Sequence, residues 1–164
     1  MNLRYLILAF AILLPGTGVS SQTTGHSEVN PYNVSDELRA CLRTKPELEI
    51  DGRVNPFYIS GDFDGDGFTD SAVQVKTRKD QRQRILICFA KGNPVLFGAG
   101  AAVVWPQEDD GKWPFDFWML IRKGSKHLSI YPQIKFDTLA LIKGDEGGGL
   151  VYWDGQRFRW QQQE

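Results

Sequence analysis

Residues 57–77 read FYISGDFDGDGFTDSAVQVKT, a pattern that predicts two strands joined by an acidic loop. Apolar and β-branched residues flank the loop, in Phe57–Ser60 before it and in Ser71–Thr77 after it, as is typical of strands. The loop itself, DFDGDGFTD at 62–70, carries four aspartates and two glycines. We therefore expect strands rather than helices to enter and leave it.

The aspartates of this loop have the spacing of a calcium site. Calcium binds roughly six to eight oxygen atoms from carboxylates, backbone carbonyls and water, whereas magnesium prefers fewer protein ligands. Alternation along the loop turns successive carboxylates toward one point, and the glycines let the chain curl tightly. We predict a structural Ca²⁺ bound by the side chains of Asp62, Asp64, Asp66 and Asp70 and by the backbone carbonyl of Phe68.

An EF-hand loop accounts for only part of this pattern. Counted from Asp62, the sixth position is Gly67, as in an EF-hand, but the twelfth is Val73, where an EF-hand requires a glutamate. Asp70, at the ninth position, is the better closing ligand. The alternative to a metal site is an acidic turn without metal, because aspartate and glycine are common in turns for their own reasons.

The order DxDGDGxxD followed by a short apolar strand resembles the calcium loops of FG-GAP and VCBS-type repeats, which occur in integrin-like propellers and in many secreted bacterial proteins. The resemblance covers residues 57–77 and implies the same five ligands, four through side chains and Phe68 through its carbonyl. Members of this family carry several copies of the loop, whereas this chain carries one. A propeller needs several copies of its repeating unit, so we do not expect a full propeller.

The rest of the chain predicts a mostly β fold with one short N-terminal helix. Ser35 has the character of a helix N-cap ahead of apolar residues at helical spacing, a run that reaches Arg43 and stops before Pro46. Further strands are predicted at 84–90, 117–122, 128–131, 139–143, 150–153 and 158–160, with turn-forming residues in most of the gaps. The expected architecture is an antiparallel sheet, with an α+β arrangement as the alternative.

The C-terminal hairpin carries its own turn signal. Asp154-Gly155 suits a two-residue type I′ turn between two strands. With such a turn, four large apolar side chains share one face of the hairpin: Val151, Trp153, Phe158 and Trp160. Burying each of them is worth roughly 1.5 to 3 kcal/mol, so we expect this face to pack in the core.

The N-terminus has the order of a secretory signal peptide. Arg4 precedes an apolar run, Tyr5–Leu14, that is followed by small residues up to Ser21. The run is shorter than the roughly 20 residues that a membrane-spanning helix requires. We predict a signal peptide at 1–21, a flexible lead-in at 22–33 and a single domain at 34–164, exported to the periplasm or secreted and without a membrane span after cleavage. An uncleaved apolar helix is the alternative.

The chain has two cysteines, Cys41 and Cys88. Export would place them where disulfides form and persist, so we predict that they form a bridge between the N-terminal helix and a central strand. Two separate buried thiols are the alternative. The spacing does not fit a zinc site.

Several other features have ordinary structural interpretations. We expect solvated turns at the acidic clusters 108–110 and 145–146, with a second cation or a partner contact as the alternatives. The basic segment 76–84 is expected to be a solvated hairpin tip, with an acidic partner as the alternative. We expect core packing, or alternatively an exposed platform for sugar or protein, for a group of aromatic residues: Trp105, Trp113, Phe115, Phe117 and Trp118.

Charge and composition exclude a nucleic-acid binder, because 19 basic residues are balanced by 20 acidic ones with no large basic excess. The two histidines, His26 and His127, have no nucleophile motif near them, so we expect no catalytic residues. The sequence favours an exported, non-enzymatic calcium-binding domain that interacts with a protein or an envelope polymer. The alternatives are an inhibitor or immunity-type protein that blocks an envelope enzyme, and a metal-assisted hydrolase.

Overall fold

The computed structural model describes residues 33–98, 115–144 and 147–163, and the statements below concern these ranges. Several predicted features lie outside them: the signal peptide at 1–21, the lead-in through residue 32 with His26, the aromatic residues Trp105 and Trp113, and the acidic clusters at 108–110 and 145–146. The expectations for those features stay predictions.

One α-helix, α1, spans Asp36–Arg43 and confirms the predicted N-terminal helix. The Ser35 side chain caps it by accepting a hydrogen bond from the backbone N–H of Leu38 at 3.2 Å. Such a cap satisfies one of the backbone donors that the first turn leaves unpaired. Leu38 is the residue through which the helix is buried against the rest of the protein.

The first sheet has five antiparallel strands: β1 Leu48–Ile50, β2 Tyr58–Gly61, β3 Asp70–Thr77, β4 Gln83–Cys88 and β5 Val95–Phe97. Its main order is β1-β3-β4-β5, and β2 also pairs with β3. Since β1 pairs with residues 75–77 and β2 with residues 70–73, the two short strands lie end to end along one side of β3.

The second sheet is a four-stranded antiparallel meander in which each strand pairs with the next. Its strands are β6 Phe117–Ile121, β7 Thr138–Ile142, β8 Gly148–Trp153 and β9 Phe158–Gln163. The mostly β prediction is confirmed: within the described residues there are two antiparallel sheets and one α-helix, and the sheets form neither a closed barrel nor a propeller.

The two sheets contribute to one hydrophobic core. Alternate residues of β3 and β4, such as Ala72 and Ile85, are buried together with Trp118 and Leu139 of the second sheet. A smaller cluster lies on the opposite face of the second sheet, where Leu128 and Ile134 of the β6–β7 connection cover Ala140 and Leu150. Residues 122–137 therefore act as a lid over part of that face.

The segment between β1 and β2 is held by both sheets at Pro56. The buried amide of Gln74, on β3, donates to the carbonyls of Val54 at 3.3 Å and Pro56 at 3.1 Å. The indole N–H of Trp118, on β6, donates to the same Pro56 carbonyl. A buried polar group is tolerated when its hydrogen bonds are made, and here the bonds also fix where β2 begins.

Cys41 and Cys88 form a disulfide, which confirms the predicted pairing. The bridge joins α1 to β4, a strand with neighbours on both sides. The predicted link between the N-terminal helix and a central strand is therefore confirmed as well.

The predicted strand at 128–131 is wrong. Lys126–Leu128 form a 3₁₀ helix, and the residues after it form turns. A short apolar run does not distinguish a strand from another buried segment, and here Leu128 is buried whereas Ile130 is 72% exposed. Two strands, β1 and β5, were not predicted, because three residues are too few to show the alternation of apolar and polar side chains that marks a strand.

The C-terminal hairpin has the predicted faces but not the predicted turn. Trp153 pairs with Phe158, which leaves four residues, 154–157, in the loop instead of two. The Asp154 carboxylate accepts hydrogen bonds from the backbone N–H groups of Gln156 and Arg157, both at 2.9 Å, so the side chain organises the wider turn. Val151 and Phe158 are buried in the core, with Trp153 and Trp160 packed against them.

The aromatic residues near β6 divide between core and surface. Phe115 and Trp118 are buried, as expected for core packing, whereas Phe117 is 43% exposed. No helix within the described residues has the length and apolar character needed to cross a membrane.

Replacing both cysteines, Cys41→Ala with Cys88→Ala, is expected to lower the free energy of unfolding by about 4 kcal/mol. The reason is that the bridge joins residues 47 apart, and its loss gives the unfolded chain more conformations. Urea denaturation of wild type and double variant measures the difference. Reductant is the control, since it should lower the stability of the wild type only. Equal stabilities of the oxidised wild type and the variant would contradict this expectation.

Candidate metal centre

The acidic loop closes a hairpin between β2 and β3. Gly61, the last residue of β2, pairs with Asp70, the first residue of β3, so residues 62–69 form the connection. Phe63 points into the core and is fully buried, which fixes the start of the loop. The predicted strand–loop–strand arrangement is confirmed, and Val73 is a fully buried strand residue that no metal could reach.

Three of the four predicted carboxylates come together. Oxygen atoms of Asp62, Asp64 and Asp70 all lie within 4.8 Å of one another. Each carboxylate is oriented by the loop backbone, because Asp62 accepts from Gly65 N–H at 2.8 Å and Asp64 accepts from Asp66 N–H at 3.1 Å. These oxygens form a preorganised group of hard ligands, the type that binds a divalent cation.

Asp70 is the most enclosed member of the cluster. Its carboxylate accepts hydrogen bonds from the backbone N–H groups of Phe63 at 2.9 Å and Ala90 at 2.8 Å. Burial raises the pKa of Asp70, the two hydrogen bonds act in the opposite direction, and the nearby charges of Asp64 and Asp66 raise it further. The net effect of these causes is a raised pKa for Asp70.

The remaining two predicted ligands do not belong to this cluster. The Asp66 carboxylate is exposed and accepts a hydrogen bond from the backbone N–H of Phe68 at 2.8 Å. The Phe68 ring is 48% exposed, and the ammonium of Lys91 lies 3.4 Å from its centroid. Metal binding by Asp66 and by the Phe68 carbonyl stays a prediction.

Asp137, in the β6–β7 connection directly before β7, is bonded to the start of the loop. Its backbone N–H donates to the Asp62 carbonyl at 3.2 Å, and its carboxylate accepts from the Asp62 N–H at 3.1 Å. The same carboxylate accepts from Arg122 at 2.8 Å and from the backbone N–H of Lys123 at 2.9 Å. Burial opposes ionisation of Asp137, but the hydrogen bonds from Lys123, Asp62 and Arg122 outweigh it and lower the pKa.

Lys123 brings a positive charge to the cluster. Its ammonium lies 3.0 Å from a carboxylate oxygen of Asp62, while 54% of its side chain stays exposed. Sequence reasoning missed both Lys123 and Asp137 because nothing in their local spacing marks them. Their proximity to the loop arises only when the β6–β7 connection meets the β2–β3 hairpin.

The two loop glycines have different surroundings. Both have positive φ, +82° at Gly65 and +84° at Gly67, a conformation in which residues with a Cβ are strained. A Cβ at Gly65 would lie 2.1 Å from the Phe136 ring, whereas a Cβ at Gly67 would have no atom within 4 Å. Gly65 is therefore needed both for the turn and for the close approach of Phe136, which lies in the β6–β7 connection.

Two other predicted features have ordinary surroundings. In the basic segment, Lys76 and Arg78 pair with Glu49 of β1 at 3.2 Å and 3.1 Å, and Arg82 pairs with Asp80 at 3.3 Å. These ion pairs agree with a solvated hairpin tip, but Arg84 at the end of the segment is buried within β4, contrary to the expectation. His127 contacts Gln163 of β9 and not the acidic loop.

Comparison of the chain with protein-family models, with curated proteins and with solved structures finds no match.

Gly65→Ala and Gly67→Ala form a matched pair. Each should suffer the strain of a positive φ, but Gly65→Ala should destabilise the protein by a further 1 to 3 kcal/mol, roughly, because Phe136 must move. Urea denaturation in the presence of chelator measures both variants without any contribution from metal. When Phe136→Ala is already present, Gly65→Ala should destabilise the protein no more than Gly67→Ala does, as expected for residues in contact. Equal effects of the two glycine variants would show that the contact is unimportant.

Proposed function

We propose that this chain is an exported calcium-binding β domain without catalytic activity, which interacts with a protein or an envelope polymer in the periplasm or outside the cell. The observation that carries the proposal is the convergence of Asp62, Asp64 and Asp70 within 4.8 Å. The resemblance of residues 57–77 to FG-GAP and VCBS-type loops supports the same conclusion.

Electrostatics favours a bound cation at this place. Unit charges this close repel by about 1 kcal/mol in bulk water and by about 3 to 4 kcal/mol at the effective dielectric of a protein surface. Among the described residues, one ammonium, that of Lys123, pairs with a carboxylate of the cluster. Three ionised carboxylates and the one ammonium of Lys123 leave two negative charges, which a divalent cation would neutralise. A cation would also favour the ionised form of Asp70.

Calcium suits these ligands better than magnesium does. The loop offers carboxylates in quick succession, with Asp66 and the Phe68 carbonyl close by in sequence. Calcium accepts many protein oxygens in flexible geometry, whereas magnesium demands a near-ideal octahedron and retains water. We therefore assign Ca²⁺ to the site, with the three clustered carboxylates as its primary ligands.

We propose a structural role for the ion. The loop connects two strands of the first sheet and is bonded through Asp62 to Asp137, the residue directly before β7 of the second sheet. An ion that binds only the folded loop stabilises the fold by mass action, by about 2.7 kcal/mol when free calcium is 100 times its dissociation constant. Loss of calcium would then loosen a junction that both sheets share.

Export is supported by two independent features. Residues 1–21 have the order of a signal peptide. The Cys41–Cys88 bridge is of the kind that persists in oxidising compartments. The proposal assigns no residue to catalysis, because His127, the one histidine in the described part of the chain, contacts Gln163 and not the carboxylate cluster.

Asp64→Asn tests the metal site with little change in shape. The amide oxygen can still accept the Asp66 N–H, but the ligand charge is lost. We expect calcium affinity to fall by at least about tenfold in a calorimetric titration. The melting temperature should fall in calcium and stay nearly the same in chelator.

Asp154→Asn is the matched control for this experiment. It also replaces one carboxylate by an amide, in a turn whose hydrogen bonds do not involve the loop. Its melting temperature should shift equally with calcium and with chelator. If Asp64→Asn behaves in the same way, or if the wild type neither binds calcium nor is stabilised by it, the proposed function is wrong.

Lys123→Gln should raise calcium affinity, because the ammonium beside Asp62 repels an incoming cation. We expect an increase of about threefold at low salt and a smaller one at high salt, since this side chain is half exposed and screened. Calorimetry at two ionic strengths measures it. Lys79→Gln is the control, as it removes the same charge from an exposed lysine in the β3–β4 turn, at the opposite end of β3 from the loop. Equal increases in both variants would indicate only a general charge effect, and a decrease in Lys123→Gln would contradict competition.

A further inference from the structure

One edge of the second sheet is entirely apolar. The strand β6, Phe117–Ile121, has the sequence FWMLI, and among the described strands it pairs only with β7. An edge strand presents backbone donors and acceptors that can pair with another strand. Folded proteins usually protect such edges with charged residues, proline or very short strands. None of these devices occurs within β6.

The other edge strands of the described sheets are shorter than β6 or carry a charged residue. In the second sheet, β9 carries Arg159 and ends in three glutamines. In the first sheet, β5 and β1 have three residues each, and β2 has four. The contrast singles out β6 as the strand most suited to pairing with another chain.

Two large side chains of β6 are exposed on the same face. Phe117 and Met119 are 43% and 45% exposed, and as alternate residues of a strand they point to one side of the sheet. The lid made by residues 122–137 covers Ala140 and Leu150 of this face and leaves Phe117 and Met119 uncovered. The pairing edge therefore adjoins an apolar surface that a second chain could bury.

The charges at the two ends of β6 are opposite. Asp116 is exposed immediately before the strand, and Arg122 immediately after it is 68% exposed. One N–H of Arg122 bonds to Asp137, and a guanidinium has five such donors, so others remain for a second carboxylate. In an antiparallel pair of identical strands, the start of each strand faces the end of the other. Self-pairing thus brings Asp116 of each copy opposite Arg122 of the other.

We propose that two copies of this chain associate through β6, in an antiparallel pair centred on Met119. In this register Met119 faces its own counterpart across the two-fold axis, and Phe117 faces Ile121 of the second copy. Both four-stranded sheets then continue into each other across the junction. Such an interface is isologous, which means that both copies use the same surface. The proposal does not depend on calcium, because no residue of the 62–70 loop belongs to it.

Sedimentation equilibrium of the purified protein over a wide range of concentrations tests the proposal, with and without calcium. The wild type should be a dimer that dissociates on dilution. Met119→Lys and Met119→Glu should each raise the dissociation constant on the order of 100-fold or more, because each loses apolar burial and places like charges opposite each other. An equimolar mixture of the two variants should form dimers again, since lysine then faces glutamate. Ile130→Lys, a change of the most exposed of the large apolar side chains, should leave the dimer intact.

Three results would overturn the proposal. A wild type that stays monomeric at all concentrations would show that β6 does not pair with itself. Dimers that persist in both charged variants would place the interface elsewhere. Charged variants that remain monomeric when mixed would exclude the register centred on Met119. Melting curves of each variant establish that the measured species are folded.

Discussion

The structure depends on the reciprocal pair of hydrogen bonds between Asp62 and Asp137. The Asp62 backbone donates to the Asp137 carboxylate and accepts from the Asp137 N–H, so that the end of β2 is joined to the start of β7. Phe63 fills the core directly beside this junction. Because the first sheet reaches the second at this point, the position of the acidic loop and the packing of the two sheets are set together.

This pair of hydrogen bonds helps to explain why three carboxylates lie close together although their charges repel one another. Asp70 is buried because β3 begins inside the protein, and two backbone N–H groups compensate part of the cost. Asp62 cannot withdraw into solvent because its backbone is held by Asp137. Asp64 and Asp66 are oriented by backbone N–H groups of the loop, and of these two carboxylates that of Asp64 joins the cluster. A cluster whose charges are fixed by the fold needs little rearrangement to bind a cation, which is why we propose a structural role for the ion.

The features that depend on a few neighbouring residues were predicted correctly from the sequence. The helix with its Ser35 cap, the strands on both sides of the loop and the shared apolar face of the last hairpin follow from spacing over a few residues, and all are found. Lys123 and Asp137 could not be predicted, because Asp137 is 75 residues from its Asp62 partner and its own neighbours show no pattern. The 128–131 segment was misread because Leu128 packs on the sheet as a lid, where burial does not require strand pairing. The turn at Asp154 is wider than the predicted two-residue turn. In the wider turn the Asp154 carboxylate accepts hydrogen bonds from the N–H groups of Gln156 and Arg157.

The strand order also bears on how the chain reaches this structure. Within the described residues, each hydrogen-bonded pair joins strands consecutive in the chain, apart from β1 with β3. Most of these pairs close short loops, although the β6–β7 connection at 122–137 is longer, and contacts between nearby segments form faster than contacts that require distant segments to meet. Each sheet has the connectivity to form by itself. The contacts of Asp137 with Asp62 and of Trp118 with the Pro56 carbonyl join residues that are distant in sequence, so we expect them to form later. The carboxylate cluster then reaches its final form only after the two sheets have packed together.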